Sequence, residues 1–202
     1  MWAYISIGVG YGFIAAAQPG PFQTYIISQT LLRGWKKTLI TAFAPLISDG
    51  PIIALCLFVL NQVPILFQRF LYIAGGLFVL YLSYGAFNSW KGFDPVIPTA
   101  ELDGRQSILK AAMTNVLSPG PYLFWSLVTG PLLLKGWRET PINGIGLLLG
   151  FYVTITLGLS AIIIAFGVAR QLGPNLSRLL LGLSAIALLF FGIYQLWLGI
   201  FS

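Results

Sequence analysis

Gln18-Pro19-Gly20-Pro21 interrupts one long apolar stretch of the chain, and Ser118-Pro119-Gly120-Pro121 interrupts another in its second half. Proline has no amide donor and collides with the carbonyl one turn back, and glycine permits dihedrals a helix does not use, so each tetrapeptide predicts a local unwinding. In hydrocarbon an unwound backbone survives only where it lines a cavity or binds something. Paired breaks at corresponding places in two halves point to the central site of a transporter.

The two halves resemble each other beyond the breaks. Leu31-Leu32-Arg33-Gly34-Trp35 follows the first, and Leu133-Leu134-Lys135-Gly136-Trp137 follows the second at nearly the same separation. A weaker echo pairs Arg69, ahead of the apolar run 70–87, with Arg178, ahead of 179–198. Motifs recurring in the same order argue for an internal duplication about three segments long. Apolar stretches run at 4–30, 38–60, 70–87, 107–134, 142–169 and 176–200. Each suffices to cross ~30 Å of hydrocarbon, with allowance for tilt. An odd number of crossings per copy means that the second copy enters from the opposite side. The expected fold is therefore an all-α integral membrane protein of six transmembrane helices, arranged as two inverted three-helix repeats with helices one and four broken. The repeats occupy 1–90 and 107–202, joined by a cytoplasmic linker at 91–106.

Composition agrees with that class. Hydrophobic residues make up 57% of the 202 positions and charged residues 8%, which excludes an ordinary soluble domain. The net charge of +6 follows from loop bias and is not read as a nucleic-acid surface. Connections one, three and five hold Arg33, Lys36, Lys37, Lys91, Arg105, Lys110, Arg170 and Arg178; connections two and four hold only Arg69, Lys135 and Arg138. The positive-inside rule puts the first group in the cytoplasm and both termini outside. Residues 2–17 end in Ala15-Ala16-Ala17, but no basic residue precedes them and apolar character resumes after the break, so cleavage of a signal peptide is not expected. The polar strap 88–106 holds Asp94, Pro95, Pro98, Glu101 and Asp103 and reads as flexible.

Asp49 is the sharpest single residue. The other four acids, Asp94, Glu101, Asp103 and Glu139, fall in connections, whereas Asp49 lies near the middle of the second crossing. A carboxylate there costs at least ~2.5 kcal/mol to insert and should face the bundle interior. No embedded Lys or Arg is on hand to neutralise it. With Pro45 before it and Gly50-Pro51 after it, the helix is expected to kink at that depth. One reading makes Asp49 a proton- or ammonium-binding group opposite the breaks. The other makes it the N-cap of a half-helix opening at Pro51. Both can hold.

Gln18, Gln23, Thr24, Asn115 and Ser118 cluster around the breaks, where they would bind substrate or cap the half-helices. Gly146 with Gly150, and Gly75-Gly76, read as close-packing surfaces. Trp2, Trp35, Trp90, Trp137 and Trp197 fall near the ends of crossings, as interface anchors do. The chain has no histidine and one cysteine, Cys56, which excludes imidazole catalysis and a CxxC redox pair. An embedded lone aspartate makes no aspartic dyad. No enzyme, no metal site and no cofactor is expected.

The Pro-Gly-Pro of the first crossing, the loop Leu31-Leu32-Arg33-Gly34-Trp35-Lys36-Lys37, a second crossing with a central acid, and the element from Asn115 to Pro119 together resemble the LysE/RhtB family of amino-acid exporters. The resemblance covers nearly the whole chain. It implies a multi-pass protein of the bacterial inner membrane that moves amino acids or related small molecules outward on an ion or proton gradient. The chain departs from the family pattern in its fuller second motif, Ser118-Pro119-Gly120-Pro121, and in Asp49-Gly50-Pro51, so the substrate is left open. On this reading Gln18, Pro19, Gly20, Pro21, Gln23, Asn115, Ser118, Pro119, Gly120 and Pro121 form the substrate site, and Asp49 holds the coupling ion or the substrate ammonium. Amides of the half-helices after each Pro-Gly-Pro would receive the carboxylate. Competing classes are a divalent metal-ion exporter of related architecture, for which the available ligands are thin, and a membrane assembly factor that transports nothing. The expected partners are a small-molecule substrate and the lipid bilayer, with a homodimer left open and no nucleic acid.

Overall fold

The computed structural model describes residues 1–59, 65–92 and 104–201, and all regular structure among them is helical. α1 (Trp2–Ala17) stops where Gln18 turns extended, at φ −65° and ψ 117°, with its N–H still bonded to the Ile14 carbonyl at 2.9 Å. Gly20 is fully extended, and α2 (Pro21–Arg33) restarts with proline in the first turn, where a missing amide costs no hydrogen bond. Gly34 closes α2 at φ 83°, a left-handed conformation that favours glycine, and donates to Thr30 O at 2.8 Å.

The second passage comprises α3 (Trp35–Thr38), a 3-10 turn at Leu39–Phe43, α4 (Ala44–Ala54) and a π-helical turn at Leu55–Val59. The helix is not broken at Asp49-Gly50-Pro51. α4 runs through Pro51 without interruption, and Asp49 lies in its interior, so it is no N-cap. The tight turn before α4 and the wide turn after it carry the change of pitch, which leaves a single forfeited bond at Pro51.

α5 (Ile65–Lys91) and α6 (Gly104–Val116) extend into the expected strap: residues 88–91 finish α5 and 104–106 open α6. Residues 93–103 of the linker lie outside the described residues. Beyond Leu117 and Ser118 come α7 (Pro119–Leu123), a π-helical segment at Phe124–Thr129, and α8 (Gly130–Glu139). The chain continues through α9 (Pro141–Gln171) and α10 (Pro174–Phe201).

Among the described residues, four helical segments are long and apolar enough to cross a membrane: Trp35–Leu57, Ile65–Lys91, Pro141–Gln171 and Pro174–Phe201. The two remaining apolar stretches are the ones divided by the breaks. Neither break exploits positive φ, because Gly34 and Gly173 are the only described residues that have it. Gly20 takes non-helical, extended dihedrals as expected, whereas Gly120 lies inside α7. At the second break the prolines alone do the interrupting.

α1 packs along α9 in the same direction, Ile5 against Gly146 and Ala16 against Gly158, whereas α5 and α10 pack antiparallel, Ile73 against Gly199 and Trp90 against Gly182. In the first pair a methyl group on Gly8 or Gly12 would strike the carbonyls of Leu147 and Phe151, and one on Gly150 would strike Ile5 O. Small residues let the backbones approach, so van der Waals contact holds helices that lipid gives no hydrophobic reason to associate. Trp35 and Trp90, expected as interface anchors, fill notches at Gly167 and Gly182, whereas Trp2, Trp137 and Trp197 are exposed. Trp125, Phe151, Ile26 and Leu188 are fully buried at the centre, while Phe13, Leu66 and Phe190 belong to an apolar outer shell. A shell so extensive suits lipid rather than water.

Candidate functional site

The two breaks meet. Residues 18–21 and 118–121 border one cavity of about 340 Å³, a volume in the range of small-molecule sites. Gln18, Pro19, Gly20, Pro21, Gln23, Asp49, Asn115, Ser118, Pro119, Gly120 and Pro121 all line it, so the structure brings every expected site residue together. The remaining wall is largely aromatic and aliphatic, from Phe22, Phe124, Phe151 and Ile155. The lining stays within a turn of the breaks or extends toward the face carrying the termini, through Ala15, Tyr72 and Leu198. Toward Arg33 the lining reaches no further than Phe22, Gln23 and Pro45.

At the first break the side chains mostly tend the backbone. Gln23 Nε2 donates to Ala15 O at 3.1 Å, tying α2 back across the gap to the end of α1. Thr24 Oγ1 and Thr24 N both donate to Gly20 O. Pro21 has no amide, so Phe22 and Gln23 are the first N–H groups of α2 and have no partner within the helix. They form an anion-tolerant edge on the cavity.

The second break is built differently. α7 opens at the first proline of its motif, not after the last, and Pro119 and Pro121 leave Gly120 as the single amide between them. Half-helices with matching sets of free amides were expected from the paired motifs; the second has too many prolines near its start to provide them. Ser118 Oγ donates to Thr114 O at 2.6 Å and Ser118 N to Asn115 O, which closes the end of α6.

Asn115 is the link to Asp49. Its Nδ2 donates to Asp49 Oδ1 and to Ser48 Oγ, each at 2.7 Å, so both amide hydrogens are used. Ser48 Oγ gives its own hydrogen to Ala44 O at 3.0 Å and can therefore only accept from Asn115. Trp125 and Tyr152 offer further donors to the same carboxylate. Asp49 is 4% exposed, and none of the groups acting on it is cationic. A buried carboxylate held by neutral donors alone keeps its charge unbalanced and is attractive to a cation.

Four contributors were not singled out from sequence. Trp125 is the one tryptophan away from the ends of the crossings, and the π-helical turn at Phe124–Thr129 brings it to Asp49. An indole at that depth needs an acceptor, and this was the available signal. Tyr152 carries no such mark in a strongly apolar helix. Tyr194 and Gln195 line the cavity from α10, and Gln195 Oε1 is buried with no partner among the described residues. Gln195 is a polar amide in an otherwise apolar run, a signal of the same kind as Asp49 but without charge.

No curated protein and no solved structure matches the chain. The family model described as LysE type translocator matches residues 13–199, which include both breaks, Asp49 and Asn115. With broken apolar helices around a central cavity and that match over nearly its whole length, the chain belongs to the LysE type translocator family, multi-pass membrane proteins of small-molecule export.

Proposed function

We propose that the protein is a secondary-active exporter of amino acids or similar small zwitterionic metabolites, driven by the proton or sodium gradient across the bacterial inner membrane. The observation that carries this reading is the pairing, in one cavity, of an uncompensated buried Asp49 with the amide edge at Phe22 and Gln23. An ammonium group suits the first and a carboxylate suits the second. One zwitterion spans both.

The proposed architecture is six crossings in two inverted repeats, with both termini outside. The helix pairing supports it: α1 packs on α9 while α4 packs on α6, and α5 packs on α10. Exchanging first, second and third crossings with fourth, fifth and sixth leaves that pattern unchanged. The excess of Lys and Arg on the Arg33 face supports the orientation. A cavity that reaches only toward the termini then corresponds to an outward-open state.

Coupling follows from Asp49. When it is charged it retains the substrate ammonium; when a proton reaches it through the outward-open cavity, the Coulombic hold is lost and substrate leaves outward. Rocking of the repeats carries the proton inward. Tyr152 on α9 contributes a hydroxyl donor to the carboxylate.

Purified protein in proteoliposomes, tested amino acid by amino acid and with divalent cations under imposed proton or sodium gradients, checks the reading. Gradient-dependent movement of at least one zwitterion is expected. Transport confined to divalent cations, or none of any solute by folded protein, would sink it.

A further inference from the structure

Three buried side-chain atoms of α2 have no hydrogen-bond partner among the described residues: Tyr25 Oη, Gln29 Oε1 and Arg33 Nε. They recur every fourth residue and so form one stripe along the helix. The stripe begins one turn beyond Phe22 of the cavity and ends where Gly34 closes α2. Thr30, off this stripe, has its hydroxyl bonded to Ile26 O at 2.8 Å, so the lack of partners belongs to the stripe and not to α2 in general.

Polar groups of two other helices face it. Arg33 Nη1 donates to Ser107 Oγ of α6 at 3.0 Å. The Tyr25 hydroxyl is within electrostatic reach of Arg33 and of Tyr81 on α5, and Lys110 Nζ of α6 stands 5.7 Å from the Tyr81 ring centre. Two cations and several unused donors and acceptors thus lie between the cavity and the face opposite the termini, the stripe atoms themselves buried.

A buried polar atom without a partner favours any rearrangement that wets it. A stripe of such atoms, aligned with an open cavity and continuing it, is what the closed half of an alternating path requires. A guanidinium selects carboxylates, for which Arg presents paired donors in a plane. The neutral bond to Ser107 is readily exchanged for such a ligand.

We propose that the Tyr25-Gln29-Arg33 stripe is the closed inner half of the transport path, and that Arg33 is a second binding point that receives the carboxylate end of the cargo at the inner mouth. The inference rests on the exporter reading for its cargo, though not for its geometry.

Thiol labelling tests the geometry without transport. Gln29→Cys in a Cys56→Ala background is treated, in inside-out and right-side-out vesicles, with membrane-impermeant thiosulfonates of negative and positive charge. Ser107→Cys, nearly isosteric, provides a second probe should the first fold poorly. Modification from the inner side only is expected, with the anionic reagent favoured roughly tenfold after correction for intrinsic reactivity. Adding Arg33→Gln should remove most of that preference, whereas Arg33→Lys should keep part of it. Ser28→Cys, buried one position away, should stay unmodified. Labelling from the outer side, equal labelling at Ser28→Cys, or no charge preference would overturn the proposal. A labelled stripe in a protein that moves no amino acid would leave the path standing and remove the proposed cargo; transport with an unreactive stripe would do the reverse.

Discussion

Pro-Gly-Pro occurs at both breaks, yet the two do different things with it. At the first, three residues leave the helix, α2 restarts at the last proline, and amides of Phe22 and Gln23 open on the cavity. At the second, only Leu117 and Ser118 leave the helix, α7 restarts at the first proline, and a π-helical turn follows. The first break exposes backbone donors. The second places side chains: Asn115 just before it and Trp125 just after it converge on Asp49. The register at which a helix resumes, and not the motif, decides whether a break yields free amides or positioned side chains. On the proposed function the two ends of a zwitterion are sorted between them.

The sharpest way to break that comparison is Asp49→Asn. Size is kept and Asp49 is not a cap, so folding and insertion should survive, while gradient-driven export should fall to the level of empty vesicles and lose its pH dependence. Export assays across pH check this; a wild-type rate and profile would make Asp49 structural. Asp49→Leu should also destabilise, because the Asn115 amide loses an acceptor in a buried site, at about 1–3 kcal/mol.

The next effect concerns what leans on the second break. A methyl group on Gly75 would strike Leu117 O, the carbonyl freed there, and approach Gln195 Oε1. Gly75→Ala should cost about 1–3 kcal/mol, since backbone cannot yield as a flexible side chain does. Thermal unfolding in detergent would show it as a lowered midpoint; an unchanged midpoint would mean that α5 does not brace this break.

Gln23→Leu should cost about 1 kcal/mol by removing the bond across the first break to Ala15 O. Gln23→Glu cannot donate to that carbonyl and should behave no better. Equal stability of wild type and both variants would show that the first break is held by packing alone.

The smallest effect is expected at the motif glycines themselves. A methyl on Gly120 meets open space and one on Gly20 only an ordinary contact with Gln23 Oε1, and neither residue has positive φ. Gly120→Ala and Gly20→Ala should each stay within about 0.5 kcal/mol of wild type. A larger loss at either would show that the glycine is needed in a conformation other than this one.

The sequence by itself determined the class, the places where helices are interrupted and the odd residue out. Each is a local property: apolar length against bilayer thickness, prolines without amides, one carboxylate amid hydrocarbon. It also located the part of the cavity lining formed by the breaks, since unwound backbone at depth must face something polar. Tertiary structure alone decided the rest. Whether α4 would break at Pro51 depended on turns of altered pitch on either side, which no residue type announces. That Gln23 and Ser118 serve the helix ends while Asn115 reaches Asp49 depended on which donor came within about 3 Å of which acceptor. Trp125 and Tyr152 became partners of Asp49 because a wide turn and the packing of α9 brought them there. Residues far apart in the chain have no local signature of meeting; that pairing is set by how whole helices pack.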